Sequence, residues 1–195
     1  MVLTHGDIVH MRRPMRLTIR VRRGLVLAST LLLGGVGARA QSAKSGKIDA
    51  TWLHADAASK TAEFKLVAGL TEANGGMNFN GFGRGGLAVT VPRGWNVVFH
   101  FKNEDPNLPH SVEVIADAEA IPVGPVPPAF EHATTGRIEQ GFSTGQGTDV
   151  RFVPGKAGSF LIFCAVPGHG VAGMWIRLAV SDAVDKPALA TAPER

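Results

Sequence analysis

The chain has 195 residues, 45% hydrophobic and 18% charged, with 24 Gly, 12 Pro, no Tyr and one Cys. That length and apolar content suit one domain with its own core and exclude a disordered chain, while a single cysteine excludes a disulfide framework and any CxxC-type zinc or redox motif. The net charge of +4 is unevenly placed: seven of the 20 Lys+Arg lie in residues 1–40 against one acid, so residues 41–195 carry 13 bases and 15 acids, a net of −2, and the body of the protein is no nucleic-acid binder.

The first 40 residues read as an address. Six arginines from Arg12 to Arg23 precede an apolar run from Gly24 to Gly37, and Ala38-Arg39-Ala40 follows. This is the basic segment, hydrophobic segment and A-x-A site of a secretory signal, with cleavage expected before Gln41. The run of 14 residues is short for a bilayer span, which needs about 20. The expectation is therefore an exported, periplasmic protein, with an uncleaved N-terminal anchor as the alternative.

From residue 41 on, short runs alternate between apolar and polar residues. Phe64, Leu66 and Ala68 share one face of the first run, and Leu87, Val89 and Val91 one face of the second. Val97, Phe99 and Phe101 follow, then Val112 with Val114, and Val150 with Phe152. Phe160 and Ile162 belong to a nearly continuous apolar strand, and Ile176, Leu178 and Val180 close the series. Period two over short runs means strands, and no segment keeps a helical period for three turns. Seven or eight strands joined by long loops predict an all-β fold, an antiparallel β-sandwich over residues 41–181. The stretch from Ala116 to Gly147, with Pro122, Pro125, Pro127 and Pro128, reads as a long surface excursion. Residues 182–195, polar and Ala/Pro-rich, are expected to form a flexible tail.

Chemistry concentrates between the last two predicted strands. Cys164 ends the run Phe160-Leu161-Ile162-Phe163, His169 follows five residues later, and Met174 five after that. Upstream, Leu108-Pro109-His110-Ser111 opens another strand with a second histidine. Taken singly, each has an ordinary explanation: a buried apolar thiol, a thioether filling core, histidines in solvated turns. Together they make one thiolate, two imidazoles and one thioether, the donor set of a blue-copper site. Soft sulfur suits Cu(I), and imidazole accommodates Cu(II) as well, so one geometry can serve both redox states.

Three segments carry a family resemblance. They are Phe79-Asn80-Gly81, then Val91-Pro92-Arg93-Gly94-Trp95-Asn96-Val97 running on to Leu108-Pro109-His110-Ser111, then Phe163-Cys164 through Pro167-Gly168-His169 to Gly173-Met174-Trp175. The chain in this respect resembles the cupredoxins, and among them the sulfocyanin family. The resemblance implies a Greek-key β-sandwich and one copper held by His110, Cys164, His169 and Met174. It also implies one-electron transfer, with a c-type cytochrome or terminal oxidase as partner.

That reading sets further expectations. A hydroxyl or backbone N–H of Ser111 is placed to donate to the Cys164 sulfur. His169, in the small apolar loop Pro167 to Ala172, is the natural electron port, with Gly75-Gly76-Met77 and Pro109 extending a patch for transient docking. A monomer is expected, with peripheral membrane association possible. Enzyme readings fail on residues. Cys164 is flanked by Phe163 and Ala165 rather than by the histidines of a multicopper oxidase, and there is no second cysteine for a binuclear centre. A thioether ligand argues against zinc hydrolysis, and no Ser-His-Asp order or G-x-S-x-G elbow occurs. His54, His100 and His132 lack ligand spacing. The competing function is a periplasmic copper carrier or storage protein. Such proteins favour Met/His-rich sites, and after residue 40 the chain has only Met77 and Met174.

Overall fold

The structure, a computed structural model, describes residues 46–195. The export-signal reading falls on residues 1–40, outside the described residues. Among the described residues no helix is long and apolar enough to cross a membrane, and the helical content is two short 3-10 turns, Ala50–Trp52 and Ala73–Gly76.

The described residues form nine strands joined by loops: β1 (Leu53–Asp56), β2 (Thr61–Ala68), β3 (Leu87–Pro92), β4 (Asn96–Asn103), β5 (Glu113–Ala116), β6 (Gly147–Phe152), β7 (Gly158–Phe163), β8 (Trp175–Ser181) and β9 (Ala188–Thr191). They assemble into a four-stranded sheet, order β1-β2-β4-β6, and a five-stranded sheet, order β5-β7-β8-β3-β9. The apolar face of each alternating run turns inward, as the period requires. Phe64 and Leu66 of β2, Phe99 of β4, Val89 of β3, Ile162 of β7 and Ile176 of β8 are all at most 1% exposed and share one core. Edge-to-face aromatic contacts knit the four-stranded sheet, with ring centroids 6.0 Å apart for Phe64–Phe99 and 5.3 Å for Phe99–Phe152. The protein is an all-β sandwich.

Three expectations need correction. The sandwich is mixed rather than antiparallel, because β2 pairs parallel with β4 and β3 pairs parallel with β8. The chain switches sheets between β2, β3 and β4, so neighbours in one sheet arrive by crossover; alternation specifies a face but not a direction. The tail is not free: Ala188–Thr191 pairs antiparallel with β3, with Leu189 opposite Val89. Farther on, the Arg195 N–H donates to the Arg84 carbonyl at 3.0 Å. The Pro-rich excursion also does more than cross the surface. Phe130, Ala133 and Phe142 enter the main core, and Ile121, Val126 and Ile138 cover a second cluster on the outer side of the five-stranded sheet, around Leu161, Phe163 and Trp175.

Candidate metal centre

The site lies where β7 ends and β8 begins. β7 delivers Cys164 at its C-terminal end, and the chain then makes a tight loop that returns as Met174 just before β8. Backbone bonds lock this loop onto itself. The Cys164 N–H donates to the Met174 carbonyl at 3.0 Å, the Met174 N–H to the His169 carbonyl at 3.0 Å, and the His169 N–H to the Val166 carbonyl at 3.1 Å. Gly170 is required by close approach, since a Cβ there would fall 2.0 Å from the Phe163 ring. His110 comes from a separate segment ahead of β5, fixed by paired backbone bonds with Phe142 at 3.1 and 2.8 Å.

These elements bring three side chains to one point. His110 Nδ1 and His169 Nδ1 are 3.2 Å apart, and Cys164 Sγ lies 3.8 Å from the first and 3.6 Å from the second. A point equidistant from the three atoms is about 2.1 Å from each, inside the range of about 2.0–2.3 Å for imidazole nitrogen and thiolate sulfur on a first-row metal. The triangle fits a metal ion. Cys164 and His110 are fully buried and His169 is half-buried. Met174, the fourth expected residue, is fully buried and tied by its backbone to both loop ligands. His54, His100 and His132 stay away from the site. His100 instead lies on the outer face of the four-stranded sheet, with Nδ1 2.8 Å from Asp149.

Burial sets the protonation of the donors. It pushes the Cys164 thiol up to about 11, against the Ser111 N–H that favours the thiolate. It pushes His169 down to about 4, with His110 adding to the effect. His110 is also lowered by burial, though Asp105 opposes the shift. Near neutral pH both imidazoles are thus neutral and have a lone pair to donate, and the thiol loses its proton only when something replaces it.

Sequence similarity now decides the family. A sequence profile described as the sulfocyanin (SoxE) domain matches residues 48–191. The chain belongs to the sulfocyanin family. It is 28% identical over 136 residues to a sulfocyanin from Sulfolobus acidocaldarius, a match that covers 66% of this chain and 68% of that protein. In structure it is similar to a rusticyanin solved with single substitutions, with TM-score 0.51, 22% identity, and coverage of 70% of this chain and 86% of that one. That likeness shows a shared fold. Copper is the cofactor of this family, and the thiolate and imidazole donors at His110, Cys164 and His169 fit one copper ion.

Two details go beyond the sequence reading. Ser111 contributes through its backbone: its N–H donates to Cys164 Sγ at 3.5 Å, and its buried hydroxyl oxygen has no hydrogen-bond partner among the described residues. Asp105 was missed altogether. Its Oδ2 accepts from His110 Nε2 at 3.1 Å, and its Oδ1 accepts from the backbone N–H groups of Asn107 and Leu108 at 2.8 and 2.9 Å. Burial by itself would raise this carboxyl, but the bonds from Asn107, His110 and Leu108 hold it below the usual carboxylate range. The signal was an acidic residue five positions before a ligand histidine, in a Pro/Asn-rich turn that reads as an ordinary loop.

Proposed function

We propose that this sulfocyanin-family protein is a type 1 copper electron carrier, exported and shuttling single electrons between respiratory redox proteins. The observation that carries the reading is the buried triangle of two imidazole Nδ1 atoms and one cysteine sulfur, 3.2 to 3.8 Å on a side. His110, Cys164 and His169 would hold copper, with Met174 as a fourth, weaker donor. The bound ion supplies a reversible one-electron couple, and the protein supplies everything else. The loop bonds and the β5–β7 pairing hold the ligands in one arrangement, so little must move when the charge changes. The apolar core around Cys164 excludes water, and the Ser111 N–H withdraws electron density from the sulfur, which favours the reduced state.

Half-buried His169 is the ligand nearest solvent, and around it the surface is apolar. Val171 is 49% exposed on the same loop, and Val123, whose carbonyl accepts from the Gly168 N–H at 2.7 Å, is 65% exposed. This is the face on which a cytochrome or oxidase would dock for a short encounter, by a monomer free to diffuse. Export rests on the basic-apolar-A-x-A pattern of residues 1–40. The deep burial of His110 and Cys164 favours retention of the metal over its delivery, which weakens the copper-carrier alternative.

The test is spectroscopic. One equivalent of Cu(II) should give an intense thiolate charge-transfer band and a narrow copper hyperfine splitting, and the copper should survive repeated redox cycles in the presence of a Cu(I) chelator. Pale, ordinary Cu(II) at full occupancy would refute the thiolate site. Ready loss of Cu(I) to the chelator would favour a carrier.

A further inference from the structure

The fold assigns a different partner to each ring nitrogen of His110. Nδ1 faces Cys164 and His169, while Nε2 lies 3.1 Å from Asp105 Oδ2. The two side chains are 0% and 3% exposed. Three N–H groups point at the carboxylate: Nε2–H of His110 and the backbone N–H groups of Asn107 and Leu108. An ionised carboxylate only accepts, so Nε2 carries the ring proton and the Nδ1 lone pair is left for a metal. Among the described residues no Lys or Arg pairs with Asp105, and its one titratable partner is this imidazole, neutral near neutral pH. Space for the carboxylate is made by backbone alone. A Cβ at Gly69 would fall 2.4 Å from Asp105 Cβ, and one at Gly76 would fall 2.3 Å from Oδ2, and both glycines have positive φ.

We infer that Asp105 is a positioning residue for His110 and also a fixed negative charge that holds the reduction potential below what the same ligands would give with a neutral acceptor. The inference rests on the copper reading above. A thiolate and two neutral imidazoles make the centre neutral with Cu(I) and +1 with Cu(II), so an anion one ring away stabilises the oxidised state more than the reduced one. A carboxylate accepting from Nε2–H also raises the basicity of Nδ1, with the same sign. Both groups are shielded from solvent, so salt and water screen this charge far less than one on the surface. A neutral acceptor in the same place would orient the ring and leave the potential higher. Asp105 thus opposes the Ser111 N–H and the apolar core, which push the potential up.

The experiment compares the copper-loaded protein with its Asp105→Asn variant by redox titration, recording visible and EPR spectra on the same samples. The variant should keep the thiolate band and narrow hyperfine splitting, while its ratio of Cu(II) to Cu(I) affinity falls at least tenfold, a rise of about 59 mV for one electron. An unchanged or lower potential in a variant that keeps those spectra overturns the inference. An asparagine must turn its NH2 toward either His110 or the two backbone donors, which can cost the fold. The unaltered, metal-free protein then decides by 15N NMR of its histidines. A proton on His110 Nε2, exchanging at least 100-fold more slowly than the ring N–H of His169, upholds the assignment; a proton on Nδ1, or equal exchange, overturns it. Absence of the thiolate band in unaltered protein is a separate failure, that of the copper reading itself.

Discussion

Cys164 and Met174 close the neck of the ligand loop through a single backbone hydrogen bond of 3.0 Å, from the cysteine N–H to the methionine carbonyl. The Met174 N–H in turn holds the His169 carbonyl. Met174 therefore fixes the loop by its backbone, and the donor role proposed for its side chain can be tested apart from that. Met174→Leu conserves volume and should cost less than about 1.5 kcal/mol of stability. Copper and the thiolate band should remain, because His110, Cys164 and His169 are untouched. The oxidised state loses a thioether donor, so the potential should rise, by an amount of order 59 mV, or tenfold in affinity ratio. Redox titration of the variant against the parent measures this, and a fall in potential would remove Met174 from the proposed donors.

Cys164 is the donor that no other residue can replace. Cys164→Ser should abolish the charge-transfer band, since a serine hydroxyl does not ionise to bind copper at neutral pH. The hydroxyl would sit where Sγ now accepts from the Ser111 N–H, so the fold should survive with a loss of about 1–2 kcal/mol from burying a more polar group. Visible spectra with copper and a thermal melt without it check both halves. A variant that stayed blue would show that the sulfur is not a ligand.

Gly170 tests whether the loop itself must be this tight. A methyl group there would meet the Phe163 ring at 2.0 Å, and Phe163 is fully buried next to the cysteine. Neither can yield without shifting the loop that carries His169. Gly170→Ala should therefore destabilise by about 1–3 kcal/mol, as overpacking does, and weaken copper binding at the same time. Gly168→Ala makes a useful contrast, because nothing lies within 4 Å of its added methyl and only the positive φ of 89° opposes it. Similar copper affinity in the two variants would mean that Phe163 does not set the loop.

The strands that were legible are those whose alternation reflects one buried face. Phe64-Leu66-Ala68 and Ile176-Leu178-Val180 could not be read otherwise. The two strands not foreseen carry no such record. In β1 all four residues are at least partly exposed, and β9 is Ala-Leu-Ala-Thr, mostly exposed on the edge beside β3. For these, pairing to an existing edge stands in for burial, and pairing leaves little trace in side-chain type. The three side chains that converge, His110, Cys164 and His169, were legible because copper demands particular atoms at particular spacings. Asp105 was not, because its role comes from a contact across a turn, and any acidic residue in a loop looks the same from sequence.

Metal loading should be linked to protons with a definite sign. The Cys164 thiol is held up to about 11 and His169 down to about 4 in the metal-free fold. Between those values the thiol is protonated and the imidazole is not, so binding releases one proton, from the cysteine. Apparent affinity should then gain about tenfold per pH unit across pH 5 to 8, and fall more steeply below about 4, where His169 must also be deprotonated. Calorimetric titration at pH 7 in buffers of different ionisation enthalpy counts the proton directly. A count near zero would mean that the thiolate already exists in the empty site.

Glu113 should limit stability at neutral pH. It sits on β5 at 1% exposure, opposite Phe163 of β7, under the loop that contributes Ile121 and Val126. Its carboxylate accepts from the Val126 N–H at 3.3 Å. Burial raises this carboxyl above its ordinary value, and the bond from Val126 only partly offsets that. As pH rises past 4.5, the unfolded chain gives up its proton while the folded protein still holds it. The unfolded state then binds fewer protons, so stability falls as pH climbs through this window and stays lower above it. Glu113→Gln keeps an oxygen to accept from Val126 and removes the ionisation. It should leave the melting temperature unchanged at pH 4 and raise it at pH 7, by roughly 2–4 °C for a gain of about 1 kcal/mol. Thermal melts of the metal-free protein at the two pH values test the sign, and an equal difference at both would show that the charge of Glu113 is not what costs stability.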